Sequence, residues 1–220
     1  MKDQNVFGII LEGIAGTGKS TTLAKLLDSD LWRTKPYMSS IVLSEHQTLR
    51  NLETKRDNST YTKQDSIRLL DNHVSYLELL KNQLDDNGWL KRDRKSQKIP
   101  YVFERFHLSH VYYYDSMNWD DVVGIDERLV SLNAHLFVFT INPDDIQDRI
   151  IDDYEKTGWS NYLSTLGSTN EEIKEYFIRK QDEILELAKK TKLKVTYIDT
   201  SKLSPNEVVQ EIITNWDFGL

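Results

Sequence analysis

The chain predicts an α/β fold, a parallel sheet with helices crossing over its faces. Three observations carry that reading. Five short apolar runs alternate with polar segments of helical spacing. Residues 13–20 read Gly-Ile-Ala-Gly-Thr-Gly-Lys-Ser, a complete G-x-x-x-x-G-K-[ST] phosphate-binding loop. That loop sits between the first apolar run and the first helical pattern, the context such a loop requires. Charged residues follow the strand ends, where open parallel sheets gather their ligand groups.

The first strand is expected over Val6–Leu11. The helix after the loop carries Leu23, Leu26 and Leu27 on one face. The second strand is Ile41–Leu43. A long helix spans about Ser66 to Leu84, with Ile67, Leu70, Val74, Leu77, Leu80 and Leu84 recurring every three or four residues, and Gly88 marks its stop. A basic tract at about 89–98 follows, with Lys91, Arg92, Arg94, Lys95 and Lys98. It reads as a solvated loop, with a patch for an anionic partner as the alternative. The third strand is Ile99–Phe103. Ile125, Leu129 and Leu132 share the inner face of a further helix. Leu136–Ile141 is the fourth strand. A helix over about Glu171–Lys190 follows, with Ile173, Phe177, Ile184 and Leu187 as its stripe. Leu193–Ile198 is the fifth strand. The last helix runs from about Pro205 to Trp216, capped by Ser204 with Pro205 in its first turn.

Bulk composition narrows the function classes. A length of 220 residues suits a single domain over 1–220. The net charge of −7 argues against a broad nucleic-acid surface. The absence of cysteine excludes disulfides, thiolate metal sites and cysteine nucleophiles. The N-terminus leads directly into the first strand without a signal peptide, and no apolar stretch reaches the length of a membrane span. A soluble cytoplasmic protein without membrane partners is expected. A homodimer is left open.

The loop carries the first chemistry. Its glycines let backbone N–H groups face phosphate oxygens, and the following helix adds its dipole. Lys19 is placed to reach the β- and γ-phosphates, and the Ser20 hydroxyl to ligate Mg²⁺. The chain therefore binds a nucleoside triphosphate. After the second strand come Ser44, Glu45 and His46; after the third, Glu104, Arg105, Phe106 and His107. After the fourth come Asn142, Pro143, Asp144 and Asp145; after the fifth, Asp199, Thr200, Ser201 and Lys202. Two glutamates and an arginine thus converge on the loop. One carboxylate can take an acceptor proton, another can hold Mg²⁺, and an arginine can bind phosphate or spread transition-state charge. The plainer reading is that such charges only solvate the sheet edge. His46 and His107 are lining residues at most; His73, His110 and His135 look structural, and no spacing suggests a metal cage. Tyr112, Tyr113 and Tyr114 offer either a base-stacking face or alternating core and surface.

Other triphosphate users fit less well. Asp121-Val122-Val123-Gly124 matches D-x-x-G by letter, but no Asn-Lys-x-Asp accompanies it, which disfavours a GTPase. The segment 122–127 reads better as an amphipathic helix than as the acidic strand of a motor ATPase. A polynucleotide 5′-hydroxyl kinase draws support from the basic tract and none from the acidic balance. A nucleotide-binding regulatory protein with little turnover is the alternative of a different class.

Four segments together resemble the thymidylate kinase and deoxynucleoside kinase superfamily. They are Glu12-Gly13-Ile14-Ala15-Gly16-Thr17-Gly18-Lys19-Ser20-Thr21, Val42-Leu43-Ser44-Glu45, Phe103-Glu104-Arg105-Phe106-His107-Leu108-Ser109, and Thr140-Ile141-Asn142-Pro143-Asp144-Asp145 with Arg149-Ile150. The resemblance implies a P-loop kinase fold, with five parallel strands in the order 2-3-1-4-5, flanking helices and a lid at about 152–169. It implies ATP as donor, held by Gly13, Ile14, Ala15, Gly16, Thr17, Gly18, Lys19, Ser20 and Thr21, with Arg149 beside the adenine. It implies Mg²⁺ on Ser20 and Glu104, and a nucleoside or nucleotide small molecule as acceptor. It implies that Glu45 accepts the acceptor's proton and that Arg105 positions phosphates.

Three departures stand out. Ser44-Glu45-His46 lacks the arginine expected there, which Arg50, Arg56 or Arg68 can replace. The lid lacks arginine, leaving Lys156 as its candidate catalytic cation, Trp159 and Tyr162 as covering groups, and Gly158 and Gly167 as hinges. The basic insert has no expected counterpart.

Overall fold

The structure is a computed structural model that describes residues 5–34, 37, 39–86, 98–156 and 160–216. Strand β1 (Val6–Glu12) leads through the phosphate loop into helix α1 (Lys19–Asp28) and a single turn, α2 (Asp30–Arg33). Strand β2 (Ile41–Leu43) is followed by α3 (Glu45–Thr48), a 3₁₀ turn at Arg50–Leu52, α4 (Glu53–Asp57) and the long α5 (Lys63–Asp86). Then come β3 (Ile99–Glu104), α6 (His107–Tyr113), α7 (Trp119–Ser131) and β4 (Ala134–Thr140). A π-helical turn at Gln147–Ile151 precedes α8 (Asp152–Lys156) and α9 (Ser160–Leu163). Helix α10 (Asn170–Ala188), β5 (Lys194–Asp199) and α11 (Pro205–Asn215) complete the described chain.

The five strands form one parallel sheet in the order β2-β3-β1-β4-β5. β1 lies at its centre and is buried along its whole length. Its side chains alternate between two cores. Val6 and Ile10 face the core covered by α5, α6, α7 and α10. Phe7, Ile9 and Leu11 face the core covered by α1 and α11. The expected stripe of α5 is in place: Leu70, Val74 and Leu77 are fully buried. Each is worth about 1.5–3 kcal/mol over exposure.

The register decides where the site forms. Leu11 pairs with Glu104, and Leu43 with Phe103. Glu12, Ser44 and Arg105 therefore emerge at one edge of the sheet, beside the loop. The segment 122–127 lies inside α7, as its periodicity requires, with Asn118 accepting at its start from the amide of Asp120 at 3.0 Å. Gly88, Gly158, Trp159 and the basic insert apart from Lys98 lie outside the described residues. Among the described residues, no helix is long and apolar enough to cross a membrane.

Candidate active site

The phosphate loop is built on glycines that other residues could not replace. Gly18 has φ 80° and stands at the N-terminus of α1, and Gly16 has φ 72°. A Cβ on Gly16 would meet Ile150 Cγ1 at 2.4 Å. Lys19 lies inside the loop, 5% exposed, and its Nζ donates to the Ile14 carbonyl at 2.6 Å and the Thr17 hydroxyl at 3.1 Å. Burial, aided by Arg105, pulls this ammonium well below its ordinary range against the pull of Glu104, Glu45 and Glu12. An anion in the loop would favour the charged form.

Ser20 and Glu104 come together as the sequence requires. The Ser20 hydroxyl donates to Glu104 Oε1 at 2.5 Å. Both groups are hard oxygen donors, which suits Mg²⁺, a cation that takes one or two protein oxygens and completes its shell with phosphate and water. Glu104 Oε2 accepts from the Glu45 amide at 3.3 Å, which ties the ends of β2 and β3 together.

Glu45 stands at the start of α3 and is clamped between two arginines. Its Oε1 accepts from Arg50 Nε at 2.6 Å, and its Oε2 lies 2.7 Å from Arg105 Nε. The second contact is an ion pair without a well-directed hydrogen bond. Burial works to raise the carboxyl, but Arg105 and Arg50 prevail and hold it below its ordinary value. Arg105 itself is 6% exposed and takes a left-handed backbone, φ 53°. Such a conformation in a non-glycine residue costs energy and persists where neighbours enforce it. Here its amide donates to Leu11 at 2.9 Å, and its guanidinium donates to the Tyr112 hydroxyl. Burial opposes its charge, but Tyr112, Glu45, Glu12 and Glu104 hold it on.

Sequence reasoning assigned no role to Glu12, which anchors this turn. It is fully buried, and its Oε1 accepts from the amides of Phe106 at 2.8 Å and Ser109 at 3.2 Å. It thereby caps the start of α6 and fixes the path of Glu104-Arg105-Phe106. The signal in the sequence is a carboxylate directly after the apolar run Val6–Leu11, at the head of the phosphate loop.

Beyond the loop lies a cavity of about 430 Å³. Ile14 and Ala15 of the loop contribute to its lining, and Arg50, Arg56, Arg105 and Lys180 bring cations to it. Tyr112, Tyr113, Tyr162, Tyr176 and Phe177 supply aromatic walls. The size suits a small-molecule ligand. Arg50 and Arg56 line this cavity, whereas Arg68 is exposed on α5 and is not among its lining residues. Arg56 stacks over Tyr113 at 5.0 Å. Lys180 was missed by sequence, though Tyr176, Phe177 and Lys180 share one helical face.

The remaining expectations divide. Arg149 lies in the π-helical turn, a feature frequent at functional sites. It donates to the Gly16 carbonyl at 3.2 Å and to the Thr200 carbonyl at 2.7 Å, linking the loop to the turn after β5. Tyr162 lines the cavity, and Leu163 is buried, so α9 in the tract expected as a lid packs beside the cavity. Lys156 is exposed at the end of α8 and is not among the lining residues. Gly167 is closely packed: a Cβ there would meet Glu172 Cβ at 2.8 Å. His107 does not line the site. It is fully buried and pairs with Asp126 at 3.1 Å, because α7 packs over the start of α6. Tyr112 and Tyr114 are buried, and Tyr112 and Tyr113 also reach the cavity wall.

Solved structures share the arrangement of strands and helices that carries this site. YorR from Bacillus subtilis, crystallised in complex with phosphorylated GDP, superposes with a TM-score of 0.55 at 15% identity, over 94% of each chain. The thymidylate kinase from Candida albicans gives 0.50 at 17% identity, over 96% of this chain and 92% of that one. A gluconokinase from Sinorhizobium meliloti gives 0.50 at 11%, over 96% and 91%. The chain has the P-loop kinase fold. No protein-family model and no curated sequence matches it. The fold is thus shared by proteins named as differently as a thymidylate kinase and a gluconokinase, and by itself fixes no substrate.

Proposed function

We propose that the protein transfers a phosphoryl group from ATP, with Mg²⁺, to a nucleoside monophosphate in the cytoplasm. One observation carries the choice of acceptor: four cations, Arg50, Arg56, Arg105 and Lys180, against two carboxylates, Glu53 and Asp57, line a cavity that also includes residues of the phosphate loop. An acceptor with a phosphate at Arg50 and Arg105 would lie against the donor's γ-phosphate, and its base would meet the tyrosine walls.

Transfer of this kind needs positioning and charge neutralisation more than covalent help. The loop amides and Lys19 would hold the donor phosphates. Ser20 and Glu104 would hold Mg²⁺, which would supply positive charge against that of the donor phosphates. Arg105 would contact both the moving phosphoryl group and the acceptor phosphate. Arg149 would flank the donor base. Tyr162 and the tract of 152–169, as a lid, would exclude water, with Lys156 approaching only on closure.

Glu45 then aims the arginines. An acceptor phosphate is already ionised and needs no base. A carboxyl held below its ordinary value by Arg105 and Arg50 is poorly matched to taking a hydroxyl proton near neutral pH. A nucleoside acceptor with Glu45 as its base is the second reading, favoured by the position of Glu45 at the end of β2, close to Glu104.

A panel of nucleosides and nucleoside monophosphates with ATP–Mg²⁺, read as acceptor-dependent ADP release, tests the proposal. Release with one or more monophosphates and not with the matching nucleosides is expected. Release with nucleosides alone would replace it by the second reading, and release with neither would point to a nucleotide-binding protein with little turnover.

A further inference from the structure

Helix α6 and the residue after it hold the acceptor segment 44–57 at three points. His110 Nε2 meets the Thr48 carbonyl at 2.7 Å. The Tyr114 hydroxyl donates to the Leu49 carbonyl at 2.9 Å. The Tyr113 hydroxyl donates to Glu53 at 2.6 Å. The same helix begins at the turn that carries Glu104 and Arg105, so it joins the metal side of the site to the acceptor side.

His110 is the innermost of these points. Thr48, Ser66 and His110 are all fully buried. A carbonyl only accepts, so His110 carries its proton on Nε2. Nδ1 then accepts from the Ser66 hydroxyl at 2.8 Å, and Ser66 accepts from the Tyr61 hydroxyl at 2.7 Å. Thr48 passes the connection on, its hydroxyl donating to the Glu104 carbonyl at 2.5 Å. Tyr61 stacks on Tyr114 at 4.4 Å and closes the cluster. Every polar atom of the imidazole is used, and every bond has one direction.

We infer that His110 is a positioning residue for the acceptor site. Through the Thr48 carbonyl it fixes α3 and the turn after it against Glu104. It thereby sets where Glu45 and Arg50 stand relative to the phosphate loop. The consequence for catalysis rests on the function proposed above; the consequence for the segment does not.

Two substitutions separate this role from a core histidine that only adds stability. The amide of His110→Gln reaches the place of Nε2 and can still donate to Thr48, while it gives up Ser66. The amide of His110→Asn reaches only the place of Nδ1, keeps Ser66 and leaves Thr48. Each loses one buried hydrogen bond, so both should melt at similarly lowered temperatures. Hydrogen–deuterium exchange on the full chain should show amides of 45–57 exchanging about tenfold faster in His110→Asn and near the wild-type rate in His110→Gln. Amides of α1 should be unchanged in both. In the transfer assay, KM for the monophosphate should rise about fivefold in His110→Asn alone, with KM for ATP unchanged. Equal exchange of 45–57 in the two variants, or faster exchange spread over the whole sheet, would overturn the inference. The exchange measurement decides this even if no acceptor turns over.

Discussion

Replacing Glu45 by glutamine tests the arginine clamp directly. The substitution keeps the shape of the side chain and removes its charge. Its carboxylate holds Arg50 at 2.6 Å and Arg105 at 2.7 Å. Breaking a fully buried pair costs about 3–5 kcal/mol. Here the side chains of Glu45, Arg50 and Arg105 are 16%, 29% and 7% exposed, and glutamine can still accept one bond. The loss of stability is therefore discounted to about 1–3 kcal/mol. For a chain of this size that lowers Tm by about 2–12 °C. Two arginines that no longer share a carboxylate should bind inorganic phosphate more tightly, by about fivefold. Turnover should fall by less than about tenfold, since the arginines lose their aim and no proton acceptor is lost. The assay is steady-state transfer to a monophosphate in wild type and Glu45→Gln, with inorganic phosphate as competitor. A loss in kcat of about a hundredfold or more, with phosphate competing no better, would refute the clamp and restore Glu45 as a general base.

Three further outcomes follow from the same geometry. Lys19→Ala should abolish transfer while leaving a folded protein by circular dichroism; full turnover would remove the loop as the donor site. Glu104→Gln should raise the Mg²⁺ concentration needed for half-maximal turnover, and an unchanged requirement would take Glu104 out of the metal site. His110 is held neutral by burial, its pKa lowered from 6.5 to about 4, so below pH 6.5 the unfolded chain takes up a proton that the folded chain refuses. Stability is complete above pH 6.5 and is lost as the pH falls towards 4, by about 3 kcal/mol for this residue. His135, also lowered to about 4 by burial, adds in the same direction. Urea unfolding at pH 7 and pH 4.5 measures the loss, and equal stability at the two values would contradict it.

Much of the fold is legible from local pattern. All five strands and the long helices stand within a few residues of the positions their periodicity sets; the runs of β1, β3 and β4 are buried almost throughout, while the edge strands β2 and β5 are only partly covered. The phosphate loop is legible because Gly16, Gly18, Lys19 and Ser20 are close in sequence, and their spacing states the backbone geometry. The cavity beyond the loop is assembled from the 3₁₀ turn at Arg50–Leu52, α4, the residue after β3, α6, α9 and α10, which no spacing connects. Glu45 and Arg105 could be read from strand ends. That both arginines around Glu45 are held by one carboxylate could not, because Arg50 reaches it only through the 3₁₀ turn. Lys180 lies on a helix whose apolar stripe hides its second face. His107 sits beside Arg105 in sequence, yet the first turn of α6 rotates it away from the cavity to Asp126.

Phosphorus-31 NMR of a single reaction tests the transfer most directly. The protein, ATP–Mg²⁺ and the monophosphate selected by the panel are combined, and the phosphorus signals are followed with time. Transfer to an acceptor phosphate produces ADP together with a second nucleoside diphosphate, whose new terminal phosphorus is coupled to the original one. Inorganic phosphate should stay a minor signal, because a closed site excludes water from the donor. Formation of ADP and inorganic phosphate alone, or a new phosphate on a sugar hydroxyl instead of on the acceptor phosphate, would contradict a nucleoside monophosphate kinase.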